Sequence, residues 1–237
     1  ESKVPILCEK PLAASRAALE ALPRPEGVFR VVANMRWHPG VQWLRAHVEK
    51  PLFARAHWGR DIQQSRGADW AKSYVADMGV TLDAGAHEVD YLTWLLGDVF
   101  DGESQHATSP RRDMPAENLN MLTLFHGPSR ERGFFSQISL DYLRPWKSRG
   151  CEVVCKDRVV AWHGDGLMAN EVCRMTVHDR NGLVRAEECR PDYDIIWNTM
   201  MDEWVREISG VADTFELPSF DDAFATTRVL LEATGRW

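Results

Sequence analysis

The chain has 237 residues, enough for one large domain or two small ones. Its hydrophobic fraction of 44% and charged fraction of 27% are ordinary for a globular protein. The net charge of −7, without long Lys/Arg runs, argues against a nucleic-acid partner. No apolar stretch approaches a membrane span, and no charged-then-apolar leader opens the chain.

The elements are read in chain order. Val4 to Cys8 is a short apolar run stopped at Pro11, a buried strand. Ser15 is placed to cap a helix through Ala17, Ala18, Leu19 and Leu22, broken by Pro23, Pro25 and Gly27. Val28 to Ala33 reads as a second buried strand. Strand, helix, strand is the end of a doubly wound pattern without its beginning. Pro39 to Val48 reads as a helix and Leu52 to Gly59 as a strand. Gln63 to Tyr74 is expected to be a loop, and Gly85 to Leu96 an amphipathic helix ended by Gly97.

After Gly97 the pattern changes to strands at Leu119–Phe125, Gly133–Leu140, Cys151–Val154, Val159–Trp162, Val172–Val177 and Leu183–Glu187. Turn signals such as Lys156-Asp157 and Asp179-Arg180-Asn181-Gly182 separate them. Helices at Ile196–Gly210 and Asp221–Thr234 close the chain. The expected fold is an α/β remnant plus α+β: the end of a Rossmann-like unit, then an open, mainly antiparallel sheet with helices on one face.

The five cysteines, Cys8, Cys151, Cys155, Cys173 and Cys189, form no C-x-x-C pair and have no zinc-finger spacing. All five are read as reduced thiols, and a reducing cytoplasm fits that usage.

Chemistry concentrates in two places. Lys10 stands where a strand ends, the position at which open α/β sheets bind ligands. Its ammonium is suited to hold a hydroxyl or polarise a carbonyl. Asp83 and His87 lie four apart and share one helix face. A carboxylate there would orient the imidazole and raise its pKa, equipping it to take a proton from an alcohol. Taken singly, each residue has a plainer reading: a solvated lysine, a helix N-cap, a packed histidine.

Together they carry a resemblance. Val4-Pro5-Ile6-Leu7-Cys8-Glu9-Lys10-Pro11-Leu12 is similar to a signature of the Gfo/Idh/MocA oxidoreductases, named for glucose–fructose oxidoreductase and inositol dehydrogenase. The stretch from Gly79 through Asp83, Gly85 and His87 to Gly97 resembles that family's G-x-x-x-D-x-G-x-H helix entry and the helix behind it. Asn34-Met35-Arg36-Trp37-His38-Pro39 between them also fits, and the resemblance covers essentially the whole chain.

The resemblance implies an NAD(P)-dependent oxidoreductase acting on a hydroxyl or carbonyl of a sugar, cyclitol or nucleotide sugar. It implies catalytic roles for Lys10, Asp83 and His87, cofactor contacts at Glu9, Lys10 and Pro11, and NAD or NADP as cofactor. Arg36, Trp37, Trp70 and Tyr74 are the substrate-binding candidates. Packing is the preferred reading for Trp58, and a solvated turn for Arg144, Lys147 and Arg149. Arg60 to Tyr74, with Arg149 to Val153, is similar to family members of nonulosonic-sugar pathways. In the family the free sheet face is a subunit interface, so a homo-oligomer through that face is expected.

Two departures stand out. Asp77-Met78-Gly79 has one glycine where the family has a run, which bears on substrate shape. No G-x-G-x-x-G follows a strand near the start, and Gly164-x-Gly166 reads as a hairpin or loop. The dinucleotide fingerprint is therefore expected upstream of Glu1, through truncation, a shortened homologue or a half supplied by another chain. Residues 1–38 are expected to be the tail of the nucleotide domain and 39–237 the substrate and dimerisation domain. The alternative is a non-catalytic sugar-binding or dimerisation module of the same family.

Overall fold

The computed structural model describes residues 4–62, 78–107, 118–128, 131–166, 170–211 and 215–237. The expected loop Gln63 to Tyr74, including Trp70 and Tyr74, lies outside them. Strand β1 (Ile6–Cys8), helix α1 (Arg16–Glu20) and strand β2 (Phe29–Val31) open the described chain, and β1 pairs parallel with β2. The Ser15 hydroxyl accepts from the Ala18 amide at 3.3 Å, the N-cap that Ser at this position favours. Helix α1 stops at Glu20, short of Leu22, because Pro23 disfavours the helical conformation of the residue before it.

A 3₁₀ turn, Asn34–Trp37, leads into α2 (Pro39–His47). Pro39 occupies the first turn, and the His38 ring accepts from the Gly40 amide at 3.1 Å. Strand β3 (Pro51–Gly59) follows. A π-helical turn, Thr81–Gly85, then runs directly into α3 (Ala86–Leu96), which ends at Gly97 with φ 99°. A β-carbon disfavours that φ, so glycine stops the helix.

Seven further strands complete a sheet: β4 (Val99–Ala107), β5 (Leu119–His126), β6 (Phe134–Asp141), β7 (Ser148–Cys155), β8 (Arg158–Asp165), β9 (Val172–Asp179) and β10 (Gly182–Cys189). Helices α4 (Tyr193–Ile208) and α5 (Phe220–Ala233) close the chain. The eight strands lie in the order β10-β9-β8-β7-β3-β6-β5-β4. Among the described pairings of this sheet only β3–β6 is parallel, so the sheet is mainly antiparallel, as expected.

Strand β4 was not expected. Its sequence, Val99 to Ala107, is polar and contains Gly102. It is an edge strand, and a Cβ at Gly102 would come within 3.1 Å of Val229 on α5. Glycine there admits the close approach of the helix.

Alternation along the strands sets the two faces. Ala54, Ala56, Leu122, Leu124, Ile138, Leu140, Val153 and Val160 are buried and form the core under α2, α3 and α5. On the other face Met121 is 46% and Phe135 41% exposed. A smaller cluster of Val32, Met200, Trp204 and Leu217, with Trp37 packed against it, joins β2 to α4. Val31 also donates its amide to the Pro218 carbonyl at 3.0 Å, fastening the β1–β2 unit to the segment before α5.

Candidate active site

The carboxyl end of β1 and the π turn before α3 meet. Lys10 donates from Nζ to the Asp83 carbonyl at 2.6 Å and lies 3.9 Å from Asp83 Oδ1. The Tyr142 hydroxyl, just past β6, donates to Asp83 Oδ2 at 2.8 Å, and an Arg60 guanidinium nitrogen is 3.7 Å from the same oxygen. Asp83 is thus buried, with a phenol on one side and two cations around it.

Two glycines permit this arrangement. Gly79 has φ 71°, a left-handed conformation that strains other residues. At Gly85 a Cβ would lie 3.0 Å from Leu140 and 3.3 Å from Leu230, so the π turn packs against both the sheet and α5. π turns inside α-helices commonly mark functional sites.

His87 lines a cleft with Lys10, Pro11, Ala33, Asp90 and Thr227. The cavity is about 20 Å³, room for about one water. Here the structure corrects one expectation. Asp83 does not pair with His87; it binds Tyr142, Lys10 and Arg60 instead. The His87 pKa accordingly lies well below the ordinary value of 6.5, through burial first and then the positive charges of Lys10, Arg149, Arg60 and Lys147. The ring is neutral at pH 7.

Next in the chain, Glu88 is fully buried with neither carboxyl oxygen in a hydrogen bond. Burial pushes its pKa up to about 7, against the lowering pull of Tyr91, Arg149 and Lys147.

Arg36 was expected to meet substrate. Its guanidinium is instead committed to Asp90, at 3.0 and 2.7 Å, and to the Glu216 carbonyl, and it is buried. Trp37 packs in the small cluster beside Met200 and Trp204. Glu9 is exposed at the end of β1. Trp58 is buried edge-to-face with Tyr142, ring centres 5.9 Å apart, which bears out the packing reading.

The turn reading fails for Lys147 and Arg149. Both are buried and converge on Glu171, Lys147 at 3.0 Å and Arg149 at 3.2 Å. His38 lies 3.2 Å from the same carboxylate, and the Tyr193 hydroxyl donates to it at 2.7 Å. Burial pushes the Glu171 carboxyl up, but the His38 hydrogen bond and the two cations outweigh it and hold it well below the usual carboxylate range. Burial, with Arg149, takes His38 down to about 3 and Lys147 down to about 8. Arg144 stays at the surface, bound to Asp141 at 3.0 Å, and Trp146 is exposed. Sequence reasoning missed Glu171, His38, Tyr142 and Tyr193. The available signal was Lys147 and Arg149 at alternate positions entering a strand, which puts both on one face.

Comparison with known proteins adds the context. The chain is 32% identical over 117 residues to inositol 2-dehydrogenase of Acidiphilium cryptum, covering 46% of this chain and 32% of that protein. It is 31% identical over 105 residues to D-apiose dehydrogenase of Rhizobium rhizogenes, covering 41% of this chain and 30% of that protein. An Agrobacterium radiobacter oxidoreductase, solved with NAD+, L-tartaric acid and magnesium, superposes with a TM-score of 0.72. That match has 18% identity and covers 99% of this chain and 71% of the other. By sequence and by fold, the chain resembles the Gfo/Idh/MocA oxidoreductases. The WlbA dehydrogenase of Bordetella pertussis, solved with NADH and UDP-GlcNAcA, has the same fold. Its TM-score is 0.70 at 18% identity, over 98% of this chain and 69% of that one. No family model matches the chain. Among the described residues no helix is long and apolar enough to cross a membrane.

Proposed function

We propose that this chain carries the catalytic and substrate side of an NAD(P)-dependent oxidoreductase acting on a hydroxyl or carbonyl of a sugar, cyclitol or nucleotide sugar. The observation that carries the reading is the convergence of Lys10, at the carboxyl end of a parallel strand, with His87 on one narrow cleft. The chain spans about a third of the length of the two dehydrogenases it matches in sequence, at 32% and 30%. Their names, with those of the structural neighbours, point to polyhydroxylated substrates.

The chemistry follows from the side chains. A neutral His87 is a base, and its free ring nitrogen takes the proton from the hydroxyl oxygen as hydride leaves the carbon that bears it. In the reverse direction the protonated ring returns that proton to the new alkoxide. Lys10 donates a hydrogen bond to the reacting oxygen and stabilises negative charge on it. Asp83, fixed by Tyr142, holds Lys10 in place. The cavity beside His87 admits about one water's volume, so the reacting oxygen reaches in while the sugar ring stays outside.

When bound, the nicotinamide supplies the hydride acceptor or donor. Glu9, Lys10 and Pro11 fit its reactive end, because they stand at the carboxyl end of a parallel strand pair, where open α/β sheets bind nucleotides. We place residues 1–38 with the nucleotide-binding side and 39–237 with the substrate side, and the homo-oligomer contact on the open sheet face. The cysteine usage supports a reducing cytoplasm as the setting.

The test is turnover by the protein carrying this chain on a panel of cyclitols, aldoses, aldonates and UDP-sugars, with NAD+ and NADP+ in parallel. Nicotinamide reduction with at least one polyol-type substrate is expected. Binding of such compounds without turnover by either cofactor would favour the non-catalytic module instead.

A further inference from the structure

Outside the site, two thiols face each other. Cys173, near the start of β9, is the direct antiparallel partner of Cys189, the last residue of β10. Residues opposite one another in an antiparallel pair share a face, with Cα atoms about 4.5–5.5 Å apart. Disulfides span Cα distances of about 4.4–6.8 Å. Both residues are free thiols; Cys173 is buried and Cys189 is half-buried. Each thiol interacts with the other, and burial raises both pKa values, that of Cys173 to about 12.

The other cysteines have no such partner geometry. Cys151 and Cys155 lie on the same strand, β7. A strand rises about 3.3 Å per residue, which puts these two about 13 Å apart. Cys8 is on β1, in the separate two-stranded sheet.

We propose that Cys173 and Cys189 are a redox modification site that closes to a cross-strand disulfide under a low-molecular-weight disulfide oxidant such as oxidised glutathione. Cys189, the more accessible thiol, attacks one sulfur of the oxidant as its thiolate; the oxidant's S–S bond breaks and one thiol leaves with the proton. The Cys173 thiolate then attacks Cys189 Sγ in the mixed disulfide and expels the second thiol. Two protein thiols lose two electrons and two protons, and the oxidant gains both as two thiols. The raised pKa values keep the thiolate fraction low, so the bond forms slowly.

The location gives the bond a consequence. Glu171 lies two residues before Cys173, and Tyr193 four after Cys189. These are the residues that hold Lys147 and Arg149. A bridge between the strands pins both ends of that buried network.

The experiment treats the native protein with oxidised glutathione, blocks remaining thiols by alkylation, and maps non-reduced peptides by mass spectrometry. The expected product is a Cys173–Cys189 linked peptide, lighter by two hydrogens than its parts, while Cys151 and Cys155 are alkylated only after unfolding. Cys189→Ser should abolish the link, and Cys151→Ser should leave it intact. Glutathione remaining on Cys189 with Cys173 still a thiol, or both thiols surviving an oxidant that labels Cys8, would overturn the proposal.

Discussion

A half-buried histidine beside a lysine holds its proton poorly, and that decides how His87 works. Its lowered pKa leaves the ring neutral through the physiological range. Alcohol oxidation should therefore show no loss of activity from His87 protonation near pH 6.5, and a pH profile of kcat/KM checks this. Tyr142→Phe removes the hydroxyl that fixes Asp83 at 2.8 Å. Losing a hydrogen bond to a buried carboxylate costs about 1.5–3 kcal/mol; a fall in kcat with the fold retained by circular dichroism is expected.

His38, His57 and Glu88 also set the pH dependence of stability, the histidines and the glutamate with opposite signs. His38 and His57 have folded pKa values of about 3 and about 4, below the ordinary 6.5, so the unfolded chain binds more protons in that interval. Their contribution is complete above 6.5 and is lost as pH falls toward 4 and then 3. Glu88 has a folded pKa of about 7 against 4.5, so its contribution is present below 4.5 and lost as pH rises through 7. Urea unfolding of Glu88→Gln across that interval should show a steeper rise of stability with pH than the wild type. Parallel curves would mean that Glu88 does not carry the raised pKa.

Among the elements, the π turn before α3 depends most on its glycines. Gly85→Ala puts a methyl at 3.0 Å from Leu140. Overpacking of this kind costs about 1–3 kcal/mol, and it displaces Asp83 two residues away. Gly79→Ala, at φ 71°, should cost about 1 kcal/mol through backbone strain. Thermal melts of the two variants check the order.

The same elements show what was legible. Strands β5 to β10 were readable from alternation and from turn residues such as Asn181-Gly182, and α3 from its periodicity and Gly97. The helix cap at Ser15 and the Asp83-x-Gly85-x-His87 spacing were also visible. The π turn was not, because its register differs from an α-helix by one residue and no residue type signals it. β4 was hidden because an edge strand beside α5 tolerates Gly102 and polar side chains. Lys147 and Arg149 read as a turn because their compensating charge, Glu171, lies more than twenty residues away and meets them only in the folded sheet. The Asp83–His87 pair failed for a related reason: helical spacing brought them to one face, but Tyr142 and Lys10 arrive from other elements and take the carboxylate.

At the scale of the whole molecule, the described helices that pack on the eight-stranded sheet lie on one face. The open face carries Met121 and Phe135 beside Phe53, with Phe53 and Phe135 ring centres 4.9 Å apart. Apolar groups on an uncovered sheet favour a two-fold partner. Light scattering at micromolar concentration should give a dimer or larger species, and Phe135→Glu should shift it toward monomer. A dimer in both would place the subunit contact elsewhere, and a monomer in both would remove it.

The central claim, that proton transfer runs through His87, is tested most directly by turnover of His87→Ala in the protein carrying this chain, measured with saturating nicotinamide cofactor and a polyol substrate. The account predicts a fall in kcat of about 100-fold or more, the scale of a lost general acid/base, with cofactor affinity unchanged. An unchanged kcat with the same pH profile as the wild type would contradict it.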